Sequence, residues 1–550
     1  MPIRNIHLHS DLLGDFEPNG SITYVYLFSA IALFILVIAC INFMNLSTAR
    51  SANRAREVGI RKVMGSQRNQ LMVQFLSESF LLAVCAIVLA VGLAYFVLPA
   101  FNNVSGKQLV LPLGQPAFYG LLLVASLIIA FMAGLYPAFY LSAFRPVLVL
   151  KSNFAGSTRK GGIRSLLVVF QFVISIFLII ATIAIDRQLA YIQTKRLGFE
   201  KDQLVTVQEA RTLGDNIQAF KEEVLQNTAF LAGTISGFLP VSNSWRNGDT
   251  FWKGESKPAE TEIEKMVNMQ LWEVDVDYFN TLQMNIKQGR GFSAEFLSDS
   301  TAIVLNEAAV RRFKMEGDPV GLKVSHFGGT RRDGTPDPAK TQTFTVIGVV
   351  QDFHYESLRN NIGPLGFLLQ KSNGRVTFRF DAAHTTEVVT ILEKVWHRFS
   401  PGNEFQYTFL DDDFAYMYVT EQKLGKIFTI FAGLAILIAC LGLFALTAFT
   451  TEQRTKEIGI RKALGASVSS IILLLSRDLG RLILVAFVVA IPVAWFSVEQ
   501  WLKDYAYKTN VGISVFALAG GITLIISLIT MSYQSTKAAR SNPVDSLRSE

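Results

Sequence analysis

Seven separate runs of the chain are each apolar for about 20 residues or more, the length a helix needs to cross a hydrocarbon layer. They lie near residues 24–46, 79–101, 117–140, 165–185, 427–449, 475–497 and 512–534. Inside such a layer the backbone must satisfy its own hydrogen bonds, so each run is held to a helix. Half of the 550 residues are hydrophobic and only 17% are charged, a balance that soluble domains of this size seldom reach. Between the fourth and fifth runs, from near Arg187 to near Thr420, lie about 235 residues of mixed polarity, the size of one or two globular domains. The expected fold is a membrane protein: an α-helical bundle of seven helices, four before and three after a large insert.

Placement of the cations orients the bundle. Lys and Arg number 51 against 44 Asp and Glu, and they gather in alternate loops. Residues 48–74 carry Arg50, Arg54, Arg56, Arg61, Lys62 and Arg68; 143–164 carry Arg145, Lys151, Arg159, Lys160 and Arg164; 450–470 carry Arg454, Lys456, Arg461 and Lys462. The loops between hold only Lys107, or Lys503 and Lys508. Positive loops stay in the cytoplasm, so the amino terminus and the insert are expected outside and the carboxyl terminus inside. Residues 1–20 contain no apolar stretch of the kind that makes a secretory signal. Cys40, Cys85 and Cys440 all lie in apolar runs and read as small packing residues rather than a disulfide framework.

The insert reads as α/β. Strands are expected at Leu204–Val207, Ala302–Leu305, Phe344–Val350 and Val376–Phe380, with helices near 216–226, 306–314 and 386–398. Gly289-Arg290-Gly291 and Asp318-Pro319-Val320-Gly321 mark turns, and two subdomains are expected.

An internal repeat constrains the bundle further. Arg54-Ala55-Arg56-Glu57-Val58-Gly59-Ile60-Arg61-Lys62-Val63-Met64-Gly65 returns at 454–465 as Arg-Thr-Lys-Glu-Ile-Gly-Ile-Arg-Lys-Ala-Leu-Gly, a shift of 400 residues. The same shift pairs Ala39-Cys40 with Ala439-Cys440 and Glu78 with Asp478. Pro146-Val147 with Leu150-Lys151-Ser152 is echoed by Pro543-Val544 with Leu547-Arg548-Ser549. Two three-helix units are thus related, and the even number of crossings between them makes the repeat parallel about an axis normal to the membrane.

Each basic segment suits a short amphipathic surface helix. Ile60, Val63 and Met64, or Ile460, Ala463 and Leu464, share one face; Arg54, Glu57 and Arg61, or Arg454, Glu457 and Arg461, share another. Glu four residues before Arg contributes roughly 0.2–0.5 kcal/mol, and Gly65 and Gly465 end the helix. A lone copy would read equally well as an anchor at the lipid interface; duplication in fixed register favours a specific contact.

These residues resemble a known pattern. The Arg-x-[Arg/Lys]-Glu-[Val/Ile]-Gly-Ile-Arg-Lys-x-[Met/Leu]-Gly segment, the three-helix unit and the Pro-Val-x-x-Leu-[Lys/Arg]-Ser close are similar to the FtsX-like permease domain. In the insert, Val276-Asp277-Tyr278-Phe279, Gly289-Arg290-Gly291-Phe292, Asn306-Glu307-Ala308-Ala309, Asp318-Pro319-Val320-Gly321 and Gly348-Val349-Val350-Gln351-Asp352-Phe353-His354 resemble the MacB-type periplasmic core domain. The resemblance divides the chain into 1–21, the end of an absent periplasmic domain; 22–152, a first permease unit; 165–185, a helix leading outward; 187–420, the periplasmic core domain; and 427–550, a second permease unit. Against the family plan the chain lacks one helix and most of a first outer domain, as an amino-terminally truncated or short form would.

For function the resemblance implies the permease subunit of an ATP-binding-cassette export or mechanotransmission complex in the bacterial inner membrane. A separate ATPase dimer would bind ATP and dock on Arg54, Glu57, Ile60, Arg61 and Lys62 and on Arg454, Glu457, Ile460, Arg461 and Lys462. The chain has no Gly-x-x-x-x-Gly-Lys-[Ser/Thr] phosphate loop. Family cargoes range from drugs and peptides to lipoproteins. The alternatives are a signalling scaffold that regulates a cell-wall hydrolase or a sensor kinase, and an inactive fragment of a longer permease.

Other signals are weak. His7-x-His9 offers two metal ligands without a third, Asp411-Asp412-Asp413 lacks the spacing of a calcium loop, and His354 beside Asp352 and Glu356 has no nucleophile near in sequence. No catalytic, cofactor or metal residue is expected. Glu78, Arg477, Asp478 and Arg481 sit toward span ends and Gln171 is the main polar residue deep in the fourth span, which argues against an ion-coupled carrier.

Overall fold

The computed structural model describes residues 22–142, 162–241, 248–258, 265–329, 337–372, 374–453, 457–458, 460–461 and 464–540. The 1–21 stretch with His7 and His9, and both Pro-Val-x-x-Leu closes, lie outside them.

In chain order the elements are helices α1 (Ile22–Val63), α2 (Arg68–Ser105), α3 (Pro116–Ser142) and α4 (Gly162–Thr194); strand β1 (Leu204–Val207), helix α5 (Ile217–Leu225), strands β2 (Phe230–Ser236), β3 (Gly248–Lys253) and β4 (Met266–Val274). Helix α6 (Tyr278–Thr281), β5 (Ile286–Gly289), β6 (Ala302–Asn306), α7 (Glu307–Arg312), β7 (Lys323–Phe327), β8 (Thr341–Val350), β9 (Leu365–Leu369) and β10 (Arg375–Phe380) follow. Helix α8 (Val388–Phe399), β11 (Tyr407–Phe409), α9 (Leu410–Tyr416), α10 (Val419–Gln453), α11 (Val468–Leu502) and α12 (Ile513–Arg540) complete the chain. Among the described residues seven helices, α1–α4 and α10–α12, are long and apolar enough to cross a membrane. Two compact units result. One holds the described residues up to Gln188, Lys423–Trp501 and those from Asn510 on; the other holds Leu189–Gln422 together with Leu502–Thr509.

In the helical unit the repeat is written into the packing. Phe28 of α1 and Phe428 of α10, equivalent by the 400-residue shift, place their rings 5.9 Å apart. Fourteen residues on, Asn42 donates from Nδ2 to the Ile438 carbonyl at 2.6 Å, and a Cβ on Gly442, the equivalent of Asn42, would stand 2.0 Å from Asn42 Oδ1. Equivalent positions thus meet at two levels about 21 Å apart along the helices. The pseudo-twofold axis runs between α1 and α10, and both cross in the same direction. Between the two levels, Ile31 and Ile38 of α1 and Ala435 and Ala439 of α10 are buried. Overpacking a seam of this kind costs about 1–3 kcal/mol. Gly442→Val should therefore lower the unfolding temperature of the detergent-solubilised chain by several degrees, and adding Asn42→Ala should recover part of the loss. An unchanged melting temperature would mean that the helices are not in contact here.

The inserted unit contains one sheet with two regimes. Strands β11, β1, β10 and β2 pair antiparallel in that order. Helices α5 and α8 cover them, burying Val205, Phe220, Val224, Phe378, Leu392 and Trp396 in a common core. The order then continues β4–β3–β7–β8–β6–β9, and β9 pairs back onto β4, closing a six-stranded ring. Alternate residues of all six strands, among them Phe251, Val267, Met269, Ile303, Leu305, Val324, Phe344, Val346 and Leu368, form one buried cluster. One face drawn from each strand of a closed ring is a barrel interior. The α7 residue Ala309 and the following Phe313 and Met315 pack with it.

A single residue pair, Ser236 with Val274, joins the open sheet to the barrel. Side chains reinforce the junction. Lys221 of α5, 4% exposed, reaches Asp275 and Asp277 at 2.6 Å each, and Asp275 also accepts from Thr234 Oγ1 and the Ile235 amide. Burial alone would draw the Lys221 ammonium down, but the two carboxylates outweigh it and hold its pKa above the ordinary value. Beside them Trp272 stacks on Phe238 at 5.8 Å and meets Phe353, Tyr355 and Phe367 edge-on at 5.5–5.9 Å.

Candidate functional site

The two basic segments form the candidate site. The first is not a separate short helix: α1 runs unbroken from Ile22 to Val63, so its last two turns are the extension of a membrane-spanning helix. Arg54 and Glu57 lie on this helix, with side chains outside the described set. At its end Gly65 adopts φ 98°, and the Ser66 amide donates back to the Arg61 carbonyl at 3.0 Å. This is a left-handed glycine stop with the hydrogen bond that closes it. Helix α2 then starts with the Gln70 side chain accepting from the Gln67 amide at 3.1 Å. The second segment repeats the stop: Gly465 has φ 90°, and the Ala466 amide donates to the Arg461 carbonyl at 3.0 Å. Glu457, Ile458, Ile460 and Arg461 are helical there, while Arg454 and Lys462 lie outside the described residues.

Burial within each segment follows one plan. Val58 and Ile458 are anchors, 3% and 4% exposed. Val58 packs with Leu71 and Phe75 of α2 and Ala138 of α3. Ile60 and Ile460 are about half exposed, and Met64 and Leu464, at 83% and 82%, are nearly free. The apolar face read from the sequence therefore does not pack into its own bundle; it forms a projecting knob on a capped helix end, with a cation at 61 or 461 beside it. Met64 and Leu464 were not among the expected contact residues, because periodicity reports an apolar face without saying what covers it.

The two copies differ in how that cation is held. Arg61 Nη1 donates to Gln74 Oε1 at 2.7 Å, and Gln74 Nε2 donates to Glu78 Oε1 at 3.3 Å, tying the segment to α2. Position 474 is Leu, and Arg461 instead pairs with Glu457 at 2.8 Å across one helical turn. Burial, and then Arg68 nearby, lower the pKa of Lys62.

Among the described residues of the inserted unit, the polar groups singled out in the sequence are held by their neighbours. Asp352 accepts from the Ala308 amide and from Arg311, and Glu356 accepts from Gln270 and Asn360. His354 is drawn to a pKa of about 4 by burial and by Lys195, against the pull of Asp352, so the ring is neutral at pH 7. Asp411, Asp412 and Asp413 fill the first turn of α9, where carboxylates suit the helix dipole, and Asp413 accepts from Thr408 at 2.8 Å. Among the described residues no cluster of three His, Cys, Asp or Glu side chains could hold a metal.

Comparison with known families decides the identity. The model for the FtsX-like permease C-terminal region matches twice, at residues 29–146 and 429–543, and that for the MacB-like periplasmic core domain matches 165–402. The chain belongs to the FtsX-like permeases. Its two matched permease regions are the two repeats, and the core domain lies between them, so this FtsX-like permease is a multi-pass membrane protein with a periplasmic-type domain. Curated relatives include the macrolide export ATP-binding/permease protein MacB of Bdellovibrio bacteriovorus, 30% identical over 346 residues, 59% of this chain and 49% of that protein. MacB of Campylobacter jejuni is 32% identical over 132 residues, 24% of this chain and 20% of that protein. The permease thus spans about half, or less, of the length of these relatives. Among solved structures, the periplasmic region of MacB from Actinobacillus actinomycetemcomitans aligns with 40% of this chain and 94% of its own, at 14% identity and a TM-score of 0.27.

Proposed function

We propose that this FtsX-like permease is the membrane subunit of an ATP-binding-cassette complex in the bacterial inner membrane, driven by ATP hydrolysis on a separate ATPase dimer that docks on residues 54–65 and 454–465. The observation that carries the reading is the duplicated knob: Met64 and Leu464 project from glycine-capped helix ends whose Val58 and Ile458 are buried. Two such knobs about a pseudo-twofold axis suit a partner that is itself twofold. The cations of 48–74 and 450–470 support a cytoplasmic position for both segments, with the carboxyl terminus on the same side and the MacB-like domain in the periplasm. Because α1 is continuous from the knob through the membrane, a push at Met64 is delivered along its axis. The work done is movement of the MacB-like domain, for export of a cargo or for signalling to a periplasmic partner.

Reversing charge at Glu57 and Glu457 together, or replacing Met64 and Leu464 together by Asp, should reduce ATPase co-purification from native membranes at least tenfold while leaving membrane insertion intact. Co-purification at the wild-type level in both double variants would refute the docking assignment.

A further inference from the structure

The loop between α11 and α12 belongs to the inserted unit, although the helices on either side of it belong to the other one. Leu502–Thr509 clusters with Leu189–Gln422, and the reason is a set of contacts around Arg359. The Ala506 amide donates to the Arg359 carbonyl and the Tyr507 amide to the Leu358 carbonyl, each at 3.1 Å, so two successive loop amides are held by the 358–359 backbone. The Arg359 guanidinium lies over the Tyr505 ring at 5.0 Å, and its Nη2 donates to the Tyr505 hydroxyl at 3.3 Å. The same Nη2 pairs with Glu421 at 2.6 Å, in the first turn of α10, where the carboxylate side chain is only 8% exposed. The Leu358 amide donates to the Tyr418 hydroxyl at 2.9 Å. In the segment after β8, His354 meets Tyr507 edge-on at 4.5 Å, and Lys195, just past α4, stands 5.6 Å from the same ring.

One guanidinium therefore holds both the start of α10 and the turn between α11 and α12. Ordinary loop packing would need no charge here. A buried carboxylate whose arginine also caps an aromatic ring and pairs through its own backbone is a joint at which three chain segments must stay in register.

From this geometry we infer that Arg359 is a positioning residue that fastens the α11–α12 loop into the inserted domain, so that displacement of these two helices is relayed to that domain. The inference rests on the permease reading for the source of the movement, whereas the fastening itself does not depend on it.

The test uses the whole chain in lipid nanodiscs, followed by hydrogen exchange of the Ala506 and Tyr507 amides, with amides of β8 as a control for folding. Arg359→Ala should speed exchange at both loop amides by about tenfold or more, with β8 unchanged. Because Arg359→Ala strands a buried Glu421, Tyr505→Leu is examined beside it; this variant keeps the Arg359–Glu421 pair and should still loosen the loop severalfold. Loop amides within twofold of wild type in both variants would overturn the fastening. In the complex with whatever ATPase co-purifies, ATP with vanadate should alter exchange across β1–β11 in wild type, and Arg359→Ala should abolish that response without reducing ATP hydrolysis. A full response in the variant would overturn the relay. Failure of any ATPase to accompany even the wild-type chain would count against the permease reading and the relay built on it, and the loop amides would still judge the fastening.

Discussion

Lys221→Met is expected to destabilise the MacB-like domain by about 3 kcal/mol, because removing one partner of a buried ion pair leaves the other charge uncompensated. The charge left behind is that of Asp275, whose side chain is 20% exposed, rather than that of Asp277, which is 48% exposed and can turn to water. Asp275 would keep its bonds from Thr234 and the Ile235 amide, which sets the loss at the lower end of the range for such pairs. Exchange of the amides of β10, deep in the open sheet, should accelerate roughly a hundredfold, and Lys221→Met with Asp275→Asn should recover most of the difference. The effect carries a pH signature. A lysine whose folded pKa lies above its ordinary value of about 10.5 contributes stability that is fully present below that value and is lost as pH rises through the folded pKa. The gap between wild type and Lys221→Met should therefore be constant from pH 7 to about 10 and close above it. A gap that stays constant into strong alkali would mean that the ammonium charge contributes nothing.

Trp272→Ala should cost about 3–5 kcal/mol, the usual loss for a buried aromatic replaced by alanine. Trp272 is 1% exposed and touches four aromatic rings from three other stretches of chain: Phe238 after β2, Phe353 and Tyr355 after β8, and Phe367 of β9. It stands where the Ser236–Val274 pair joins the open sheet to the barrel, so the damage should appear first as independent melting of the two halves. Two unfolding transitions where wild type shows one, with Trp272→Phe nearer to wild type, is the expected result. A single transition lowered by less than 1 kcal/mol would show that the junction is held elsewhere.

The strands that sequence patterning anticipates are those whose apolar residues run together. Leu204–Val207 and Ala302–Asn306 are buried along their whole length, and such runs leave a mark that needs no knowledge of partners. Strand β4 carries Asn268, Gln270 and Glu273 among its apolar residues, and β3 mixes Asp249 and Thr250 with Phe251 and Trp252, so neither stands out. Closure of the barrel is harder still to read, because β4 and β9 are brought together from about a hundred residues apart by loop closure rather than by local preference. For the candidate site, duplication and glycine stops are local and legible. The tie from Arg61 to Gln74, and the fall of the apolar face toward open space, depend on tertiary packing. Nothing in the spacing of Arg359, Glu421 and Tyr505 announces that they meet.

The meeting of Asn42 with Gly442 reaches back to how such a chain can change. When two identical subunits assemble about a twofold, a residue on the axis must fit against its own copy, so any substitution there is made twice and collides or gapes twice. Fusing the halves removes that symmetry of consequence: each side of the seam can drift alone. An amide on one helix filling the space that a missing side chain opens on the other is a solution available only after duplication, and it makes each half the specific complement of the other. Either half paired with itself would set amide against amide or leave two glycines facing a void.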